Sequence, residues 1–143
     1  MDDFTREDII DALRKLGVSA YCLRLPEVSY LDSLLGNDED VKGIVFGRYK
    51  HSLRALQGKG ALVATDKRIL LIDRKPLFNI YEEITYHIVN GISYARAGLG
   101  TSITLETRSG DMSLITYSPR CARGFVKAIE DHIFVSQNEN YAY

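Results

Sequence analysis

Gly60-Ala61-Leu62-Val63-Ala64-Thr65-Asp66-Lys67-Arg68-Ile69-Leu70-Leu71-Ile72 holds two short apolar runs on either side of a polar turn. Runs of four or five apolar residues bounded by glycine and turn residues read as strands, because a helix of similar burial needs ten or more. Ala61–Thr65 is therefore expected as one strand and Arg68–Asp73 as the next, joined by a compact turn at Asp66-Lys67. The middle of the Arg68–Asp73 strand is apolar at successive positions, so both of its faces are expected to be covered. Asp66 is expected to accept hydrogen bonds from local backbone amides, and Arg68 to pair with a carboxylate such as Glu82 or Glu83.

Further strands surround this hairpin. Upstream, Val41–Tyr49 is rich in β-branched and aromatic residues. Its Gly43 and Gly47 predict a bend, a bulge or a close backbone approach. Gly58-Lys59-Gly60 leads into the hairpin. Downstream, Ile80–Val89 reads as a fourth strand, with Ile84 and Tyr86 sharing a face, and Ile92–Arg96 as a fifth. Gly98-Leu99-Gly100 turns the chain into Ser102–Thr107, where Ile103 and Leu105 point one way and Thr104 and Glu106 the other. Ser109-Gly110 turns it again into Asp111–Tyr117, with Met112 and Leu114 inward.

At the C-terminal end the period switches from two to helical. Ser118 is a cap and Pro119 a first helical residue. Cys121, Phe125, Ala128, Ile129, His132 and Ile133 then form one apolar stripe. Gln137–Tyr143 reads as a polar tail. At the other end two short helices are predicted. The first is capped by Thr5, with Asp8 at its third position, Phe4 and Ile9 at staple spacing, and Gly17 as its stop. The second runs from Pro26 to Leu35 and is stopped by Gly36.

The 143 residues suit one domain, and 45% hydrophobic content with a net charge of -1 opposes disorder. No apolar run approaches the roughly 20 residues of a membrane-spanning helix. Met1-Asp2-Asp3-Phe4 lacks the basic and apolar regions of a secretory signal, so a cytoplasmic location, with membrane association as the alternative, is expected. Cys22 and Cys121 share no CxxC spacing and read as reduced, packed thiols. His51, His87 and His132 show no metal-binding spacing. No metal, no cofactor and no catalytic residue is expected, and no nucleic-acid partner. Cys121 lies near a helix start, where a thiol pKa falls, but its place on the apolar stripe assigns it to the core.

Seven short strands and one single-striped helix imply an α+β, mainly β fold. It is a barrel of about seven antiparallel strands, capped at one end by the C-terminal helix and preceded by a helical extension. The expected organisation is 1–37 helical extension, 38–135 barrel and 136–143 tail. This pattern resembles the pleckstrin-homology-like (PH-like) domains, and in particular the short bacterial ones of the YokE-like group. The resemblance rests on Gly60–Ile72, on Ile80-Tyr81-Glu82-Glu83-Ile84-Thr85-Tyr86-His87-Ile88, and on Gly100–Thr107 with Ser118–Ile133. It implies a bacterial, non-enzymatic module that associates with itself, as a homo-oligomer, or with another protein. Nine tyrosines suit barrel rims and interfaces, since a tyrosine buries a ring while its hydroxyl stays wet.

Charge is segregated along the chain. Residues 1–40 sum to -6, residues 41–75 to +7 and residues 76–143 to -2. The acidic N-terminal piece packing on a basic sheet would explain this, and so would an anionic partner such as a membrane surface. For that partner the candidate binding residues are Lys42, Arg48, Lys50, Arg54 and Lys59.

Overall fold

The computed structural model describes residues 2–52 and 56–141, with side chains for 7–52 and 56–133. Three helices come first: α1 (Asp2–Lys15), α2 (Ala20–Leu23) and α3 (Pro26–Leu34). Seven strands follow: β1 (Val41–His51), β2 (Gln57–Thr65), β3 (Ile69–Arg74), β4 (Asn79–Ile84), β5 (Val89–Ala97), β6 (Gly100–Thr107) and β7 (Met112–Thr116). Helix α4 (Pro119–Tyr141) closes the chain.

The strands form one antiparallel sheet in the order β4-β3-β2-β1-β7-β6-β5. Consecutive strands pair except β4 and β5. Between β4 and β5 the chain must pass from one edge of the sheet to the other. A 3-10 turn at Tyr86–Ile88 makes that passage. It replaces the end of the strand expected over Ile80–Val89, which stops at Ile84, and β5 starts early at Val89. Tyr86 anchors the turn: its hydroxyl donates to the Thr65 carbonyl at 2.5 Å, and its ring stacks on His132 with centroids 3.7 Å apart. Burial raises the Tyr86 phenol pKa.

The glycines of β1 act as the sequence implied. The β1–β2 register shifts between Val41 and Gly43. A Cβ on Gly43 would lie 2.9 Å from the Phe125 backbone of α4, so the glycine lets helix and strand approach closely. Gly47 does the same against the Ile115 carbonyl of β7. Helix α4 packs against β1, β2, β5 and β6, and its Cys121, Phe125 and Ile129 are buried with Val45, Leu62, Ile103, Leu105, Met112 and Leu114. The core assignment of Cys121 holds: it is buried, with its sulfur 3.8 Å from the Leu16 carbonyl.

The helical extension docks on the outside of the barrel. α3 packs on β3, and α1 packs on α3 and β1. Every residue of β3 from Ile69 to Asp73 is buried, because the barrel interior covers one face and α3 the other.

Three further expectations change. α1 begins at Asp2, so Thr5 lies within the helix and is no cap; acidic residue types such as Asp2 and Asp3 suit a first turn. Segment 137–141, read as tail, continues α4, since no glycine or proline follows Gly124 to break it. Helix α2 was not anticipated; Ser19 caps it by accepting from the Cys22 amide at 3.2 Å.

Candidate functional site

The nine bases of residues 41–75 divide by what surrounds them. Four meet carboxylates or rings. Lys67 pairs with Asp38 at 2.8 Å. Arg68 bonds Glu39 at 2.9 and 3.0 Å, Glu83 at 3.1 Å and the Leu34 carbonyl at 2.8 Å. Lys75 pairs with Asp73 at 2.9 Å. Arg74 lies over the Tyr30 ring, 5.2 Å from its centroid, and its amide donates to Glu27 at 2.9 Å. Acidic residues of 1–40 thus meet the basic sheet, as the charge asymmetry implied. The Glu83 contact is one of the two partners expected for Arg68.

The turn chemistry is different from that expected. Thr65 Oγ1 accepts from the amides of Lys67 at 3.1 Å and Arg68 at 3.0 Å, and donates to Glu39 at 2.7 Å. Asp66 instead reaches back to accept from the Asp40 amide at 2.8 Å. The hydroxyl can serve both ends of the turn, which leaves the carboxylate free to tie it to the start of β1.

A second buried pair lies inside the barrel. Tyr49 donates to Asp73 at 2.5 Å, and both are almost fully buried. Gly58 and Gly60 make room for them: a Cβ on Gly58 would sit 2.7 Å from the Asp73 carboxylate. Burial, and then the Asp73 carboxylate, raise the Tyr49 phenol pKa. The hydroxyl of Tyr49 is therefore dry, unlike those of the exposed Tyr21, Tyr94 and Tyr117.

Among the described residues, Lys42, Arg48, Lys50 and Lys59 have no such partner. Arg48, Lys50 and Lys59 are exposed, and among the described residues none of them forms an ion pair. Arg48 lies directly opposite Lys59 in the β1–β2 ladder. The β2–β3 ladder ends at Ala61–Ile72, and Arg74, two residues beyond Ile72, lines the same groove as Lys59. Three cations from three strands thus form one row on the outer face. Like charges directly opposite each other destabilise a sheet.

Helices α2 and α3 wall this row into a groove of about 470 Å³. Arg48, Lys59, Arg74 and Lys75 line its sheet side, and Tyr21, Leu25 and Pro26 its helix side. Tyr117, 67% exposed, closes one flank. Of the sequence candidates, Arg48 and Lys59 come together here, and Lys50 follows Arg48 on the same outward face. Lys42 does not join them; it lines a separate depression with Leu16, Asp66, Lys127 and His132. Arg54 lies outside the described residues. Arg74, Lys75, Tyr21 and Tyr117 are additions. The period-two alternation of the Gly60–Ile72 hairpin, carried outward, is the signal that places Arg74 beside Lys59.

Among the described residues no group of three or more His, Cys, Asp or Glu side chains could hold a metal ion. Also among them, no helix is long and apolar enough to cross a membrane.

Solved structures share this architecture. A DUF1696 family protein with a pleckstrin-homology domain from Shewanella loihica PV-4 is 17% identical, with a TM-score of 0.50 over 73% of this chain and 87% of its own. The Vps36 N-terminal PH domain is 14% identical, with a TM-score of 0.50 over 70% and 86%. The C-terminal domain of an unknown protein from Leishmania infantum is 13% identical, with a TM-score of 0.50 over 73% and 92%. At these identities the likeness concerns the fold. No curated protein matches the chain. The bacterial PH domain family matches residues 35–131, which takes in β1 to β7 and the first half of α4 but leaves α1, α2 and α3 outside. The chain belongs to the bacterial PH domain family.

Proposed function

We propose that this protein is a non-enzymatic interaction module, of the YokE-like kind, that docks an anionic partner on the outer face of β1–β3. The observation that carries this reading is the Arg48–Lys59–Arg74 row. Among the described residues its first two members form no ion pair, although neighbouring Lys67, Arg68 and Lys75 all do. A self-repelling row costs stability unless something else compensates it, and a bound anion does. Retention on immobilised heparin tests the reading. Wild type is expected to elute at moderate salt, and Arg48→Glu/Lys59→Glu to flow through with an unchanged melting temperature, because neither side chain supports the fold. Equal elution of both would contradict it.

Self-association is the second reading, and one feature favours it. β5 is an edge strand whose Ser93, Tyr94, Ala95 and Arg96 are all exposed. Such an edge is a template for pairing with another chain. Sedimentation velocity is expected to show a concentration-dependent dimer that Tyr94→Lys shifts to monomer. A monomer at every concentration would end this reading.

A further inference from the structure

We propose that Asn90 is a self-modifying site: its side-chain amide is lost in a slow reaction with the Gly91 backbone, leaving aspartate or isoaspartate on the edge of the sheet. The reaction needs no enzyme, and it is independent of the anionic-partner reading above.

The chain has asparagines at Asn37, Asn79, Asn90, Asn138 and Asn140, and Asn90 alone precedes a glycine. That neighbour decides the chemistry, because its backbone nitrogen is the nucleophile. Attack on the asparagine side-chain carbonyl closes a five-membered ring, and a Cβ on the following residue crowds the approach. Glycine has no Cβ and more backbone freedom. The fold does not call for a glycine at this position. Gly91 has no positive φ. Among the described residues a Cβ there would meet the Glu106 carboxylate at 3.7 Å and nothing nearer, which is ordinary contact. Glycine inside a strand also weakens it. Gly91 is thus costly to the strand and suited to the reaction.

The backbone around the pair is loosened. The β5–β6 register couples Val89 with Thr107 and Gly91 with Glu106, and passes over Asn90. This is a bulge, where the extra residue lies outside the ladder and the ladder is locally disrupted. β5 is also an edge strand, and the chain enters it directly from the 3-10 turn at Tyr86–Ile88. Edge segments with few pairing bonds open at low cost. Asn90 is exposed, so water reaches it and the leaving group can escape.

Glu106 supplies a base. It is the cross-strand partner of Gly91, and its Oε2 lies 3.7 Å from the point where a Gly91 Cβ would stand. A carboxylate beside the attacking nitrogen can accept its proton and pass it to the leaving group. The Gly91 N to Asn90 Cγ bond forms, the Gly91 amide proton moves through Glu106 to the side-chain nitrogen, and that nitrogen departs as ammonia. Water then opens the resulting succinimide at one of its two carbonyls. One opening gives aspartate, and the other gives isoaspartate with one extra main-chain carbon. No electrons are gained or lost. Either product sets a second carboxylate near Glu106. Charge on an edge opposes pairing with another strand, so the aged protein has a β5 less fit to pair.

The test is incubation of the full chain for several days at body temperature in mildly alkaline buffer, followed by peptide mass mapping and methyltransferase labelling of isoaspartate. Wild type is compared with Asn90→Gln, Gly91→Ala and Glu106→Gln, all expected to keep the wild-type melting temperature. The wild-type peptide that holds Asn90 is expected to gain one dalton and to label, while the peptides that hold the other asparagines stay unchanged. Asn90→Gln and Gly91→Ala are each expected to lose the mass gain and the label, and Glu106→Gln to slow both by about tenfold or more. An unchanged Asn90 peptide in aged wild type overturns the proposal. Equal conversion of the other asparagines overturns it as well, since the site would then have no advantage from its place in the fold. A rate that Glu106→Gln leaves unaltered overturns the role of Glu106 as base.

Discussion

Arg68→Ala is expected to lose about 3–5 kcal/mol of stability at neutral pH, by chemical denaturation, with no loss of heparin retention. The reason is what the guanidinium holds together. It joins the end of α3 through the Leu34 carbonyl, the approach to β1 through Glu39, and β4 through Glu83. The Glu39 side chain is only 3% exposed, so removing its partner leaves a buried carboxylate with hydrogen bonds from Thr65 and the Gly36 amide alone. The pH dependence gives the sign. Burial pushes the Glu39 carboxyl pKa up, but hydrogen bonds from Arg68, Thr65 and Gly36, with the Arg68 charge, bring it net below the ordinary 4.5. A lowered folded-state pKa stabilises the protein above the unfolded value and is lost as pH falls through the folded one. Wild type therefore loses stability from about pH 4.5 downward. In the variant burial dominates, the carboxyl pKa rises, and protonation relieves the unpaired charge. The gap between the two proteins is expected to narrow as pH falls from 7 toward 4. A constant gap would place the loss elsewhere than in the Glu39–Arg68 pair.

Phe125→Ala is expected to cost about 3–5 kcal/mol, lowering the melting temperature by about 10 °C or more. Phe125 is fully buried and is among the largest such side chains. It sits where α4 comes closest to β1, over Gly43. Truncation opens a cavity at the mouth that the helix stops, and the surrounding strands, paired on both sides, cannot collapse into it. Phe125→Leu keeps most of the volume and is expected to cost less than half as much. A loss below about 1 kcal/mol for alanine would mean that the helix is not the barrel's stopper.

The fold was legible where one physical rule decided the outcome. Alternation placed Ile103, Leu105, Met112 and Leu114 inward, and the helical stripe placed Phe125 and Ile129 in the core. It was illegible where topology overrode local pattern. Thr85–Ile88 continues an apolar alternation, yet the chain must cross there between the two edges of the sheet. The turn was misread because threonine and aspartate compete for the same amides, and only the nearby Asp40 amide gives Asp66 another partner.

The candidate site was half legible, for a similar reason. The basic run was plain, but composition does not say which cations are neutralised. Docking of the residues before β1 consumes Lys67 and Arg68, and an inward aspartate consumes Lys75. Register aligns Arg48 with Lys59, the shared groove adds Arg74, and Lys42 lies apart from them.

The claim that holds these observations together is a division of labour among like charges: Arg68 serves the fold, and the Arg48–Lys59 pair serves a partner. Denaturation midpoint and heparin elution, measured on the same preparations of Arg68→Ala and Arg48→Glu/Lys59→Glu, test it most directly. The first variant is expected to lose stability and keep its elution salt, and the second to keep stability and lose retention. If Arg68→Ala abolished retention in its folded state, or the charge reversals unfolded the barrel, the division would be wrong.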